Sequence, residues 1–346
     1  MRQSESVKHA VTPKGPGLSA PARRVLWLGA LVSALGGGWV FAELHALVNT
    51  RSEESELEAA LLDHQQRLVA EVEPGVERLL PCYPVPLGSG DPPTFPVRLN
   101  RLNFREREFD LAAPRGKLRI VAVGDSVTFG TGVLQAERFT ERLAALLDQR
   151  RPACCEVLNA GRAGMSTQAA LVVIRDTVLA WSPDLLILGT MTNDSRDPER
   201  PSRLRDAAGS VRAYVESLRA VLDLSRTRGV GVVLWGNTIG GWRDVDPLRP
   251  LRAAQDRVAR ETGTPSVDLD AVYAARPASA DEQAAFLRER PFTAVWPKTA
   301  TGPLSRLALH ADWAHPNRFG HLRLAEALLP DVLTFVDRAS SVRVVP

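Results

Sequence analysis

The stretch that most constrains this chain is Leu118 to Val133, LRIVAVGDSVTFGTGV. Ile120, Val121 and Val123 belong to an uninterrupted apolar run rich in β-branched residues, the composition of a buried strand. The run stops at Gly124-Asp125-Ser126, and Gly130 and Gly132 then loosen the backbone. In an open parallel sheet, ligands lie beyond the carboxyl ends of the strands. A hydroxyl held at that edge therefore stands where chemistry is usually done.

From Lys117 onward, strand and helix patterns alternate, which argues for βαβ units and a parallel sheet. The strands are expected at Leu118 to Gly124, Glu156 to Asn159, Asp184 to Thr190, Val230 to Gly236 and Ser266 to Leu269. Between them, Phe139, Leu143, Leu146 and Leu147 share one helical face. Further helices are expected near 167–181, 202–226, 251–261 and 317–329. Right-handed crossovers put helices on both faces of such a sheet. The expected fold class is α/β, a three-layer α/β/α flavodoxin-like parallel sheet spanning 117–338, with a tail at 339–346.

Ahead of this domain the pattern changes. Residues 1–24 hold five basic side chains against the single acid Glu5, and read as a basic leader. Val25 to Ala42 is an uncharged run of 18 residues. As a helix it would span roughly 27 Å, close to the hydrocarbon thickness of a bilayer. Glu43, Glu53, Glu54, Glu56 and Glu58 follow, so residues 25–48 are expected to be a single transmembrane anchor. The leader would stay in the cytoplasm and the rest would lie outside, in the periplasm or at the cell surface. Arg23-Arg24 before the run keeps a cleaved export signal open as the alternative. Residues 49–116 read as a helical stalk, amphipathic from Leu57 to Leu80 with a break near Pro74-Gly75, and then a Pro-rich linker.

Composition narrows the partners. In 346 residues the net charge is only +3, and the arginines are scattered among acids, so no nucleic acid is expected as a partner. Cys82, Cys154 and Cys155 have no CxxC spacing, which leaves no zinc-ribbon or thioredoxin-like site. A bridge from Cys82 to one of the adjacent pair and three unpaired cysteines both fit. No cofactor and no metal is called for.

The ends of the first three expected strands and the last loop form one constellation. The first ends at Gly124-Asp125-Ser126, the second at Asn159-Ala160-Gly161-Arg162-Ala163-Gly164, and the third runs into Thr192-Asn193-Asp194. The loop before the final helix holds Asp312-Trp313-Ala314-His315-Pro316. A carboxylate three residues before an imidazole can accept from one ring nitrogen while the other faces the serine, as a serine nucleophile requires. On their own, Ser126 fits a helix cap, Asp125 and Asp194 fit loop-amide acceptors, and His310 and His321 fit surface or helix-terminal positions. Phe129, Met165, Met191, Trp235, Trp242 and Trp313 are candidates for pocket wall or core.

These four segments resemble the signature elements of the SGNH/GDSL hydrolases. They read here as GDSVTFG (Gly124 to Gly130), NAGRAG (Asn159 to Gly164), TND (Thr192 to Asp194) and DWAHP (Asp312 to Pro316), in the family's order over Leu118 to Val336. The lead-in VRLNRLNFREREF (Val97 to Phe109) also resembles a segment found in membrane-linked relatives of that family. The resemblance implies Ser126 as nucleophile, His315 as general base and then acid, and Asp312 as its orienting carboxylate. It implies an oxyanion hole made of the Ser126 and Gly161 N–H groups and the Asn193 side-chain amide. One departure is Met191, which stands where the third element usually carries glycine. The implied activity is a serine-dependent esterase or deacetylase acting on an ester substrate, an acylated carbohydrate or a lipid, with O-acylated envelope carbohydrate as the candidate. The same triad would serve an O-acyltransferase. A catalytically silent carbohydrate-binding or scaffold protein is the alternative of another class.

Overall fold

The computed structural model describes residues 68–81, 94–112, 114, 116–195, 207–237, 248–289, 304–310 and 315–343. The leader at 1–24, the expected anchor at 25–48, the stalk up to 67, Cys82, Trp242, Asp312 and Trp313 lie outside the described residues. Among the described residues no helix is long and apolar enough to cross a membrane.

Seven strands are described. β1 (Glu77–Pro81) and β2 (Thr94–Arg98) pair antiparallel as a separate hairpin. The main sheet is parallel and holds β3 (Leu118–Gly124), β4 (Cys155–Gly161), β5 (Leu185–Gly189), β6 (Gly231–Gly236) and β7 (Ser266–Asp268), in the order β4-β3-β5-β6-β7. All five main strands expected from the sequence are present, within two residues at each end. The order reverses beside β3, and such a switch point is where open α/β sheets form their ligand crevice.

Helices fill both faces of the sheet because alternate strand residues point to opposite sides. Leu118, Ile120 and Ala122 of β3 pack with Phe139, Leu143 and Leu147 of α2 (Phe139–Arg150) and with Leu324, Leu328, Val332 and Val336 of α9 (Arg318–Arg343). Val121 and Val123 face the other way. They pack with Ile174 of α3 (Thr167–Asp176), Leu218 and Val221 of α4 (Ala207–Thr227), and Val258 of α5 (Arg249–Thr262). Every β3 residue is buried, as the apolar run requires. Among the described residues the chain also forms α1 (Ser126–Phe129), α6 (Leu269–Ala275), α7 (Ala280–Glu289) and α8 (Leu304–Leu307).

Three expectations are corrected. The amphipathic helix over Leu57 to Leu80 does not reach its carboxyl end: beyond Pro74-Gly75 the chain becomes β1. There Gly75 takes φ 82°, a left-handed value suited to glycine, and its N–H donates to Leu99 O at 2.8 Å, turning the chain onto β2. The Pro-rich linker is likewise no passive connection, since β2 lies within it and Phe104 and Phe109 pack edge-on against Trp181 at 5.0 and 4.9 Å. This segment belongs to the same compact unit as the sheet, Leu57–Pro346. Finally, α9 runs through Pro330 to Arg343, past the expected end at 329 and into the expected tail. Proline removes one helical hydrogen bond. The buried stripe nonetheless continues at Val332 and Val336, and that packing carries the helix onward.

Candidate active site

Register assembles the site. Gly124 of β3 pairs with Gly161 of β4 on one side and with Gly189 of β5 on the other, so three strands end level in one row of glycines. The row is tight. A Cβ on Gly161 would lie 2.3 Å from Phe129 N, and one on Gly189 would lie 1.9 Å from the Trp235 ring. At Gly161 backbone therefore approaches the backbone of the serine turn directly, while at Gly189 the Trp235 ring occupies the space a side chain would need.

Ser126 opens α1 immediately after β3. Asp125 is its N-cap, with Oδ1 accepting from Val127 N at 2.9 Å. The turn closes at Gly130, whose φ of 83° is left-handed. As the first helical residue, Ser126 has no intrahelical acceptor for its N–H. Its side chain is buried among the turns and meets the ring of His315, Nε2 to Oγ, at 2.8 Å. The two residues are 189 positions apart in sequence.

The His315 loop is pinned close to the imidazole. Pro316 forms a β-bridge with His310. Asn317 caps α9 by accepting from Phe319 N and Gly320 N, and its Nδ2 donates to Ala308 O at 2.7 Å and His310 O at 3.2 Å. Asp312, the expected partner of His315, lies outside the described residues.

Asn193 sits in the short 3-10 turn Met191–Ser195 that follows β5. Its Nδ2 donates to Asp125 Oδ2 and to Met165 O, both at 3.3 Å, which ties the third turn to the residue before Ser126. Gly161 is also at the site, but its N–H already has an acceptor, Asn159 Oδ1 at 2.9 Å. Asn159 Nδ2 in turn donates to Thr128 O at 2.6 Å inside α1. Asn159 thus links β4 to the serine turn.

Burial pushes the Asp125 carboxyl up to about 6, opposed by the Val127 hydrogen bond, the charge of His315 and a hydrogen bond from Thr192. Asp194 bonds loop amides as expected, accepting from Thr167 N and from Thr167 Oγ1 at 2.8 Å.

The expectation of surface histidines needs correction. His310 and His321 are fully buried, although His321 does stand in the first turn of α9, a helix-terminal position. His321 stacks on Phe139 at 6.2 Å and accepts Phe139 N–H on Nδ1 at 3.2 Å. Burial and the nearby Arg138 hold it neutral, its pKa lowered to about 3. Phe129, Met165, Met191 and Trp235 are buried in the core. Met191 belongs to the apolar cluster that holds Leu188 of β5, Leu234 of β6 and Leu251 and Val258 of α5. Cys154 and Cys155 carry free thiols.

Residues 122–323 match the sequence model of the GDSL-like lipase/acylhydrolase family, more than half of the chain. The chain belongs to that family. It is accordingly an enzyme of the serine esterase or acyl hydrolase type. No curated protein matches this acylhydrolase. Among solved structures it is similar to the acetyl xylan esterase AlAXEase, at 18 % identity and TM-score 0.46 over 62 % of this chain and 100 % of that one. It is similar also to a member of the lipolytic protein G-D-S-L family from Veillonella parvula DSM 2008, at 19 % identity and TM-score 0.42 over 63 % of this chain and 98 % of that one. A third likeness is to a two-domain esterase (CEX) active on acetylated mannans, at 19 % identity and TM-score 0.43 over 64 % of this acylhydrolase and 49 % of that chain.

Proposed function

We propose that this acylhydrolase works through Ser126, which attacks an ester carbonyl to form an acyl-enzyme. The observation that carries the reading is the 2.8 Å contact between His315 Nε2 and Ser126 Oγ, within the reach required of a base taking a hydroxyl proton. His315 accepts that proton as the Ser126 Oγ–carbon bond forms and gives it to the leaving alcohol as the carbon–alcohol oxygen bond breaks. A water then attacks the acyl carbon, with its proton taken by His315 and returned to Ser126 as the acid departs. Asp312 is assigned as the carboxylate that orients the imidazole. The Ser126 N–H is assigned to the developing oxyanion, with the Asn193 amide shared between that oxygen and its acceptors Asp125 and Met165, and the Gly161 N–H shared between it and Asn159. Loss of one such donor typically adds about 3 to 4 kcal/mol to the barrier.

The substrate assigned is an O-acylated carbohydrate of the cell envelope. That reading is supported by the uncharged run at 25–42 between a basic leader and an acidic flank, which suits an anchor with the enzyme outside. Fractionation of cells bearing the full chain, with protease added from outside, tests this: enzyme in the membrane fraction and accessible to protease is expected, and soluble cytoplasmic enzyme would refute it.

Ser126→Ala measured beside the parent enzyme on an activated short-chain ester tests the chemistry. The variant is expected to lose at least about 10³-fold in kcat with its thermal midpoint kept. Equal rates would reject serine catalysis. Added oligosaccharide that drew the acyl group away from water would make the enzyme an O-acyltransferase with the same residues.

A further inference from the structure

The segment between the hairpin and β3 is the one motif of the sequence that the proposed chemistry does not use, yet it is tied into the active site. Phe104, Arg105 and Glu106 are all buried. The Arg105 guanidinium donates from Nη1 to Gly130 O at 2.6 Å and Phe129 O at 3.2 Å, and from Nη2 to Pro96 O at 2.8 Å and Val133 O at 2.9 Å. It also lies over the rings of Phe95 and Phe129, at 5.0 and 5.5 Å from their centroids. The last carbonyls of a helical turn have no partner within it, so Arg105 caps the turn that begins with Ser126 and fixes the loop after it. The next residue reaches the neighbouring strand. Glu106 Oε2 accepts from Asn159 N at 2.9 Å, and Asn159 Oδ1 accepts from Gly161 N at 2.9 Å. β4 is the edge strand of its sheet, and Arg107 Nη1 donates to Val157 O on that same edge at 3.3 Å.

Burial raises the Glu106 carboxyl pKa, and the charge of Arg138 at 3.7 Å opposes the rise. Arg138 also donates to the Arg105 carbonyl. A segment that merely covered a sheet edge would need neither charge in so dry a place, since buried ionic groups contribute little net stability.

We propose that Arg105 and Glu106 are positioning residues for acyl transfer: one holds the turn carrying Ser126, the other holds the strand end carrying Gly161, and together they fix the spacing of nucleophile and oxyanion donors without touching substrate. The inference rests on the assignment of Ser126 as nucleophile. Displacements of about 1 Å in such a site can cost on the order of a hundredfold in rate.

The test compares full-length Arg105→Met, Arg105→Lys, Glu106→Ala and Ser126→Ala in kcat, KM and thermal midpoint on an activated short-chain ester. Arg105→Met and Glu106→Ala are expected to lose at least about tenfold in kcat with KM within about twofold, because substrate contacts are intact while alignment is lost. Arg105→Lys, which keeps a cation able to reach some of the carbonyls, should regain part of that loss. Should Arg105→Met fail to fold, Arg105→Ala with millimolar guanidinium decides instead: rescue of kcat is expected for it and not for Ser126→Ala. Folded Arg105 and Glu106 variants with the parent's kcat, or losses confined to the thermal midpoint, overturn the proposal. If Ser126→Ala itself keeps the parent rate, it is the serine assignment that fails, whatever the Arg105 variants do.

Discussion

At the scale of single residues, the site depends on side chains that join turns rather than on side chains facing substrate. Asp125 shows this most directly: one carboxylate oxygen caps α1 and the other accepts from Asn193 Nδ2. In Asp125→Asn an amide can keep the cap, but its NH₂ then meets the donor of Asn193. We expect kcat to fall at least about tenfold with little change in KM, since an oxyanion donor is turned away. The pH dependence of stability gives an independent reading. The folded-state pKa of Asp125 is about 6 against 3.8 for the free carboxyl, so between about pH 4 and 6 the folded protein holds a proton that the unfolded chain releases. Stability from this group is complete below pH 4 and is lost as pH rises through 6. Asp125→Asn lacks that loss, so its stability relative to the parent should improve from pH 4 to pH 7. Chemical denaturation at the two pH values checks it, and a constant difference would sink the assignment.

At the scale of elements, the three glycines at the strand ends set how near the turns can come. Gly161→Ala would place a Cβ 2.3 Å from Phe129 N and 2.6 Å from Thr128 C, both backbone atoms of the serine turn. One of the two elements must move. Overpacking of this kind costs about 1–3 kcal/mol, and here the displaced element carries Ser126, so activity should fall together with the thermal midpoint. Gly236→Ala is the control: its Cβ would meet nothing nearer than 3.4 Å, and both stability and rate should stay close to the parent's. A Gly161→Ala enzyme with the parent's kcat would show that the spacing of β4 and α1 does not govern the reaction. The four-residue α1 holds its place by what surrounds it, Asp125 at one end, Arg105 and Gly130 at the other, and Asn159 against its middle. So short a helix has almost no stability of its own.

At the scale of the molecule, loss of stability in acid has an identifiable source in His321, a neutral imidazole in the layer between the sheet, α2 and α9. Its folded-state pKa of about 3 lies below the ordinary 6.5, so the unfolded chain takes up a proton that the folded protein refuses. The contribution is complete above pH 6.5 and is lost as pH falls toward 3, at up to about 1.4 kcal/mol per pH unit. Asp125 slopes the other way between about pH 4 and 6, so the two partly offset each other in that range. His321→Gln keeps an acceptor within reach of Phe139 N–H and cannot take up the proton. Its stability should fall less steeply than the parent's from pH 7 to pH 4, as read by chemical denaturation across that range. An unchanged slope would mean that His321 is not the titrating group.

What the residues determined by themselves was local or carried by motif. The apolar runs and helical stripes placed the five parallel strands and most of the helices around them, because periodicity is written in neighbouring positions. The four short motifs, in order at strand ends, pointed to Ser126 and His315 before any distance was known. Only the folded chain decided what depended on remote contacts. It turned the segment after Gly75 into a hairpin strand, carried α9 past Pro330, and buried His310, His321 and Met191. It also gave the Gly161 N–H to Asn159, and drew Arg105 and Glu106 into the support of the serine turn. Apart from the Gly161–Asn159 bond, which is local but depends on the side-chain rotamer that Thr128 and the strand impose, each of these follows from packing or hydrogen bonding between residues distant in sequence, a free energy that no local pattern of amino acids records.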